Sequence, residues 1–228
     1  PLEVVRSAIG PQPYFVADAA QSAGVIPVHV GELRADVVIG AGHKFLCGPK
    51  GTGFAWFSPA TIDCVRPLGI DVEAVDPDSR DRAYYQREPM PAARYRPEAS
   101  LRFEFGTFAR HYYAGLAAAI EYQESLGWSA IEQHIRSITD YAKERLALLP
   151  GIRVVTPRPW AESAGFVTFL IERTDGRDVA QWLRTERRVH LRAAYVPNEK
   201  RFGIRASCAY FTNTADIDRL VEALLERG

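Results

Sequence analysis

The amino-acid sequence predicts an α/β protein in two parts. Three short apolar runs recur between residues 13 and 58, each bounded by turn-forming residues, which is the pattern of buried strands. From residue 110 the apolar residues follow the period of amphipathic helices, and after residue 151 strands and helices alternate. These observations predict a strand-rich part over residues 1–108 and a smaller part, helical and then α+β, over residues 109–228.

The three strands of the first part are predicted from their composition. The run "PYFVADAA" (13–20) is rich in aromatic and β-branched residues and ends at Asp18. The second run is "DVVIGAGH" (36–43) and the third is "GTGFAWFS" (51–58). The stretch from Pro59 to Ser100 is dense in Pro, Asp and Arg without a sustained period, which predicts a long surface loop.

Two consecutive helices are predicted to open the second part. The first covers "RHYYAGLAAAIEYQESLG", where Gly127 marks its end, and the second covers "WSAIEQHIRSITDYAKERLALLPG", with Ser129 as the predicted N-cap. The apolar stripe of the second helix consists of Ile131, Ile135, Ile138, Ala142, Leu146 and Leu149. The remaining elements are strands at "IRVVTP", "AGFVTFLIE", "VHLRAAYV" and "FGIRASCAYF" and helices at "GRDVAQWLRTERR" and "TADIDRLVEALLERG". Together they predict an α+β unit.

Composition excludes several classes of function. The 228 residues carry 28 Lys and Arg against 28 Asp and Glu, so no net charge attracts nucleic acid or an anionic membrane. No apolar run approaches the roughly 18 residues of a membrane span, and the first residues lack the pattern of a signal peptide. Because the chain begins with Pro1 rather than Met, we expect it to be processed or cut from something longer.

The three cysteines have neither a disulfide-like nor a zinc-like spacing. Cys47, Cys64 and Cys208 are an odd number, which fits a reducing cytoplasm. Each is predicted to be a small buried residue, and no metal site is predicted.

One lysine is placed where an amine could do chemistry. Lys44 follows the apolar run "DVVIGAGH", at the end of a predicted strand, where ligands meet open α/β sheets. A lysine attacks carbonyls only when it is neutral, which requires burial or a nearby cation. On their own, Lys44 and His43 favour the simpler interpretation of a solvated loop lysine with an ordinary polar neighbour.

Two further residues make the chemistry more specific. Asp18 ends an apolar strand, so its carboxylate is predicted to be poorly solvated and to need a cationic partner. A protonated pyridine nitrogen is one such partner. Pyridoxal phosphate requires a lysine, a carboxylate at the ring nitrogen, and hydrogen bonds at the phosphate and ring oxygen. Asp18, Gln21, His43 and Lys44 can supply all of them.

At these positions the sequence resembles the class V aminotransferases, a family of pyridoxal-phosphate enzymes that includes cysteine desulfurases and isopenicillin N epimerases. The resemblance runs through "VADAAQSAG", "ADVVIGAGHKFLCGPKGTGF", "RFEFGT" and "IRASCAYFTNTADIDRLVEAL", nearly the whole chain. It implies fold type I, with the C-terminal part of the cofactor-binding domain over residues 1–108 and a small C-terminal domain over residues 109–228. It also implies an amino-acid substrate and a cytoplasmic homodimer.

The resemblance assigns a role to each candidate residue. It makes Lys44 the Schiff-base lysine, Asp18 the partner of the ring nitrogen, Gln21 the donor to the ring hydroxyl, and His43 a phosphate contact. Thr107 matches a residue that reaches the phosphate of the neighbouring subunit. Arg205 matches the arginine that binds the substrate carboxylate, a role suited to a planar bidentate donor. Arg192 is the alternate arginine.

Three departures from the family pattern bear on function. Ala41 stands where many relatives have a phosphate-binding serine. The segment "VHLRAAYVPNEKRFGIR" lacks the loop cysteine of cysteine desulfurases. The family's N-terminal half, with a phosphate loop and a ring-stacking aromatic, is absent from this sequence. The missing cysteine argues against persulfide formation, and "RFEFGT" and "HKFLCGPKG" resemble the epimerase branch, so we expect transamination or epimerisation at an amino-acid α-carbon. The alternatives are a carbon–sulfur lyase or desulfurase, and a non-catalytic dimerising module.

Overall fold

The computed structural model describes residues 2–12, 14–62, 64–65, 103 and 109–227. The chain divides into two compact units, the first formed by Pro1–Ala20 with Val28–Ile120 and the second by Gln21–Pro27 with Glu121–Gly228. The boundary predicted between residues 108 and 109 stays a prediction. No described helix is long and apolar enough to cross a membrane.

The first unit is built on a three-stranded sheet. Its elements are helix α1 (Leu2–Ile9), strands β1 (Val16–Asp18), β2 (Val37–Ala41) and β3 (Gly53–Phe57), the short helix α2 (Pro59–Ile62) and most of helix α3 (Arg110–Leu126). Strand β2 lies in the centre, parallel to β1 and antiparallel to β3. The three predicted strands are confirmed, each shorter than its apolar run.

A small apolar core and one ion pair hold this unit together. Phe15, Ala17, Ala19, Ala35 and Val38 are buried against one another and against partly buried apolar neighbours. Beside this core, the Asp36 carboxylate pairs with Arg6 of α1 and accepts a hydrogen bond of 2.6 Å from the Phe15 amide. This amide bond, and next the Arg6 guanidinium, hold the pKa of Asp36 below its usual value despite partial burial. The residue before β2 thus fixes both α1 and the start of β1.

The second unit contains a four-stranded antiparallel sheet and its helices. In chain order the elements are helix α4 (Trp128–Ala147), strands β4 (Ile152–Val154) and β5 (Phe166–Ile171), helix α5 (Gly176–Glu186), strands β6 (Arg192–Val196) and β7 (Arg201–Ser207), and helix α6 (Thr214–Arg227). The strand order is β4-β5-β7-β6. Helix α4 packs against α6, β4 and β5, and α5 packs against β6 and β7. The predicted apolar stripe of α4, from Ile131 to Leu149, is buried throughout.

Three expectations about local structure are wrong, and one helix was missed. Helix α1 was not predicted, and α2 occupies the start of the predicted loop, of which residues 66–100 lie outside the described part of the chain. Helix α4 begins at Trp128 after Gly127, with no side-chain cap, so Ser129 is not its N-cap. Among the cysteines only Cys208 is buried, because Cys47 and Cys64 lie on exposed turns.

Candidate active site

The carboxyl ends of the two parallel strands meet at one edge of the first sheet. Asp18 is the last residue of β1 and is paired in register with Ile39 of β2. Strand β2 ends two residues later at Ala41, and His43 and Lys44 follow directly in a turn. The structure therefore brings a carboxylate, an imidazole and an amine to the same edge, where ligands of parallel sheets bind.

The turn that carries His43 and Lys44 spans residues 42–48 and is called the Lys44 turn below. Its backbone is closed by the Gly48 amide, which donates to the Gly42 carbonyl oxygen at 2.8 Å, and by the Cys47 amide, which donates to that of Lys44 at 2.9 Å. Nδ1 of His43 lies 3.3 Å from the carbonyl oxygen of Thr52, which also accepts a hydrogen bond from the Gly42 amide. The Lys44 side chain is half-buried and that of His43 is exposed. The turn thus presents both side chains from a hydrogen-bonded backbone.

Two glycines let the Lys44 turn pack closely. A Cβ atom on Gly42 would lie 2.5 Å from Oγ1 of Thr52, and one on Gly48 would lie 2.6 Å from Cδ1 of Leu116. Leu116 belongs to α3 and is buried. The glycines that enclose His43 and Lys44 in the sequence therefore allow a helix to pack directly on the turn. The sequence reveals these glycines, but not the leucine that requires them.

Asp18 is more exposed than its place in an apolar strand predicts. Its side chain is exposed and Oδ1 accepts a hydrogen bond of 2.8 Å from the Ala20 amide. The expectation of a poorly solvated carboxylate is wrong for this chain, because Asp18 shares the exposed face of β1 with Val16, whereas Ala17 between them points to the buried face. Asp18 is absent from the ion pairs found among the described residues, so its carboxylate can accept further hydrogen bonds.

The other candidate residues lie elsewhere in the chain. Gln21 is half-buried in the turn after β1 and belongs to the second unit. Thr107 lies outside the described residues. Arg205 lies in β7 of the second unit, between the buried residues Ile204 and Ala206. Because neighbouring residues of a strand point to opposite faces, Arg205 points away from the face that those two residues bury.

Arg205 has a cation as its cross-strand neighbour, which sequence reasoning did not foresee. Arg192 of β6 stands directly opposite Arg205 in the register of β6 and β7. Burial, and next the charge of Arg192, lower the pKa of Arg205 from its usual value. Sequence reasoning kept Arg192 as an alternative to Arg205, whereas the structure places the two arginines side by side.

Cys208 is the buried one of the three cysteines. Burial raises the pKa of the Cys208 thiol, which keeps it protonated and unreactive.

No group of three or more His, Cys, Asp or Glu side chains among the described residues is arranged to hold a metal ion.

Comparison with known proteins gives one consistent result. The family profile described as Aminotransferase class-V matches residues 4–220. A probable cysteine desulfurase of Streptomyces coelicolor is 32% identical over 214 residues, which are 91% of this chain and 48% of that protein. Probable cysteine desulfurase 2 of Mycobacterium leprae is 30% identical over 220 residues, 92% of this chain and 49% of that protein. The chain therefore spans about half the length of these relatives.

Solved structures match the fold in the same way. The apo structure of a cysteine desulfurase from Thermococcus onnurineus NA1 superposes with a TM-score of 0.84 at 26% identity, covering 99% of this chain and 55% of that one. A C-DES mutant with glycine covalently linked to the PLP cofactor superposes with a TM-score of 0.74 at 26% identity, covering 90% of this chain and 49% of that one. The prediction of fold type I, shortened relative to full-length proteins, is confirmed.

Proposed function

Because the chain belongs to the class V aminotransferase family of pyridoxal-phosphate enzymes, we propose that it acts at the α-carbon of an amino acid, as aminotransferases and epimerases do. The observation that carries this proposal is the edge of the first sheet, where Asp18, His43 and Lys44 follow the ends of two parallel strands. The predicted cofactor, pyridoxal 5'-phosphate, is confirmed as the cofactor of the family.

The side chains at this edge fit that cofactor. Asp18 offers an exposed carboxylate and Lys44 an amine on a closely packed turn, while the exposed His43 can reach a phosphate. When bound, the cofactor withdraws electrons from the α-carbon of the substrate. Lys44 would hold the cofactor covalently, Asp18 would keep the ring nitrogen protonated, Gln21 would donate to the ring hydroxyl, and His43 would contact the phosphate.

Two chain residues would act on the substrate. Arg205 would bind the α-carboxylate through a bidentate charge-assisted pair. Nζ of Lys44, once released from the cofactor, would take the α-proton and return it to carbon. We expect Arg205→Ala to weaken substrate binding by about 2–5 kcal/mol and so to raise the Michaelis constant. The visible absorbance of the bound cofactor should be unchanged. An unchanged Michaelis constant would remove Arg205 from the site.

The proposal extends to assembly. Thr107 in "RFEFGT" would contact the phosphate held by a second copy of the chain, so the active form would be a homodimer with its cofactor sites at the interface. We propose a cytoplasmic setting for it. Sedimentation of the cofactor-loaded protein as a monomer, with full cofactor occupancy, would contradict this part of the proposal.

The place of the cofactor is tested by trapping it. We expect the natural protein to gain a visible absorbance band with pyridoxal phosphate, and borohydride reduction followed by peptide mapping to place the adduct on Lys44. Lys50, exposed two residues beyond the Lys44 turn, provides the matched control. Lys44→Ala should lose the adduct and Lys50→Ala should keep it. An adduct on Lys50, or none, would favour the non-catalytic module.

A second candidate function is cleavage of a carbon–sulfur bond, because the relatives reported above are named cysteine desulfurases. One observation argues against persulfide formation. No cysteine occurs between Arg192 and Arg205, where β6 and β7 form a hairpin through Pro197–Glu199. The two functions are separated by offering L-amino acids in deuterated water and following α-deuterium exchange, keto-acid formation and sulfide release. Sulfide release from cysteine that outpaces exchange and transamination would establish the second candidate.

A further inference from the structure

The second unit contains a cavity of about 400 Å³ beside the register partners Ile152 and Ile171, where β4 begins and β5 ends. It is bounded by the connection between α4 and β4, by the residues that follow β5, and by the last turn of α6. All of its lining residues belong to the second unit, so this unit forms the cavity alone. Its volume lies within the range of small-molecule sites.

The walls of the cavity are mostly aliphatic. Six of the lining residues have aliphatic side chains: Leu149, Ile152, Ile171, Val179, Leu224 and Leu225. Val179 is fully buried, whereas Leu225 leaves 56% of its surface exposed. The cavity therefore joins the apolar core of the unit to solvent. An apolar occupant is favoured there, because it removes the surface of these walls from water.

Two residues of opposite charge line the same cavity. Glu172 directly follows β5, and Arg227 is the last residue of α6. Neither takes part in an ion pair found among the described residues, so the two do not neutralise one another. Glu226, beside Arg227 in the chain, is already paired with Arg187 at 2.7 Å. The guanidinium carbon of Arg227 lies 5.1 Å from the centroid of the Trp182 ring, a contact that orients the planar group.

We propose that this cavity binds the zwitterion of a free α-amino acid with an apolar side chain. Glu172 pairs with the ammonium group, Arg227 pairs with the carboxylate, and the aliphatic walls hold the side chain. A ligand with a single charge leaves the other charged residue without a partner. A polar side chain loses its hydrogen bonds to water against walls that offer none in exchange. The site goes beyond the proposed function, since it uses none of the residues assigned to the cofactor or the substrate.

Calorimetric titration of the natural protein with three probes tests the class of ligand. L-Leucine carries both charges and an apolar side chain. 4-Methylpentanoate is the same molecule without the amine, and L-asparagine has a side chain of similar shape that is polar. We expect L-leucine to bind at least about tenfold more tightly than either, because each of the other probes lacks one charged or apolar contact.

Substitutions locate the site. Glu172→Gln and Arg227→Gln each remove one charge from an exposed side chain, and each should weaken L-leucine binding at least about tenfold. Only Arg227→Gln should weaken 4-methylpentanoate, which has no ammonium group for Glu172. The matched control is Arg184→Gln, because Arg184 is an exposed arginine of α5 that does not line the cavity. This variant should bind L-leucine as the natural protein does.

A further variant separates this site from the proposed substrate site, where L-leucine could also bind through Arg205. The titrations are repeated with Arg205→Ala, in which the cavity should keep its affinity for L-leucine. Binding that is lost in Arg205→Ala but survives Glu172→Gln and Arg227→Gln would overturn the inference and support the proposed substrate site. Equal binding of L-leucine and 4-methylpentanoate would overturn it in favour of an apolar carboxylate. Absence of measurable L-leucine binding would overturn it as well.

Discussion

The Gly48→Ala substitution tests whether the packing of the Lys44 turn depends on missing side chains. The new Cβ atom would lie 2.6 Å from Cδ1 of Leu116, 3.0 Å from the Gly42 carbonyl oxygen and 3.2 Å from the Leu116 Cα atom. Two of these three neighbours are backbone atoms, which cannot rotate away. The added methyl group must therefore displace the turn or helix α3.

The cost follows from the size of the clash. Overpacking of this kind destabilises proteins by about 1–3 kcal/mol. In a chain of this size, each kcal/mol of lost stability lowers the melting temperature by about 2–4 °C. We expect Gly48→Ala to lower the melting temperature measured by circular dichroism accordingly. Gly31→Ala is the control, because a Cβ atom at Gly31 would meet no atom within 4 Å.

A double-mutant cycle identifies the partner. Leu116→Ala alone removes a buried side chain and is destabilising. In the Gly48→Ala background the same change removes the shortest of the three contacts, that with Cδ1, so the combined loss of stability should be smaller than the sum of the two single losses by about 0.5–3 kcal/mol. Additive losses, or a Gly48→Ala protein as stable as Gly31→Ala, would refute the explanation of these glycines.

Three further predictions follow from shifted pKa values. The lowered pKa of Asp36 means that the hydrogen bond from the Phe15 amide and the pairing with Arg6 stabilise the fold above about pH 4. This stabilisation is lost as pH falls through the folded pKa, so Asp36→Asn should flatten the acid limb of a stability–pH curve. The Asp218 carboxylate accepts a hydrogen bond from Tyr141 and raises its pKa above 10, so Asp218→Asn should lower the midpoint of that tyrosine's ultraviolet titration, whereas an unmoved midpoint would contradict the contact. Buried Cys208 should react with a disulfide reagent only after unfolding, while the two exposed thiols react at once.

Much of the secondary structure was predictable because apolar periodicity is local information. The stripe from Ile131 to Leu149 predicted the buried face of α4, and the three apolar runs predicted β1, β2 and β3. The edge that gathers Asp18, His43 and Lys44 follows from the same information, since parallel neighbours end on one side. The residue roles themselves stay predictions.

The errors share a physical cause, which is that exposure depends on the tertiary neighbours of a residue. Asp18 ends an apolar run but lies on the exposed face of β1, where its carboxylate meets solvent. Cys47 and Cys64 belong to a residue type that is usually buried, yet they lie on turns. Ser129 is a good capping residue by type, but α4 begins one residue before it, at Trp128. The local sequence around a residue does not say which other parts of the chain will lie against it.

The hairpin of β6 and β7 accounts for two features that looked unrelated in the sequence. The four residues 197–200 connect the strands, with a 3-10 turn at Pro197–Glu199 and Lys200 in the left-handed conformation. A connection this short leaves out the loop in which cysteine desulfurases are expected to carry their nucleophilic cysteine. It also fixes the register that sets Arg192 opposite Arg205, because a slip by one residue would turn Arg192 to the other face of the sheet. The same four-residue connection therefore carries no sulfur-accepting cysteine and sets the two arginines opposite one another.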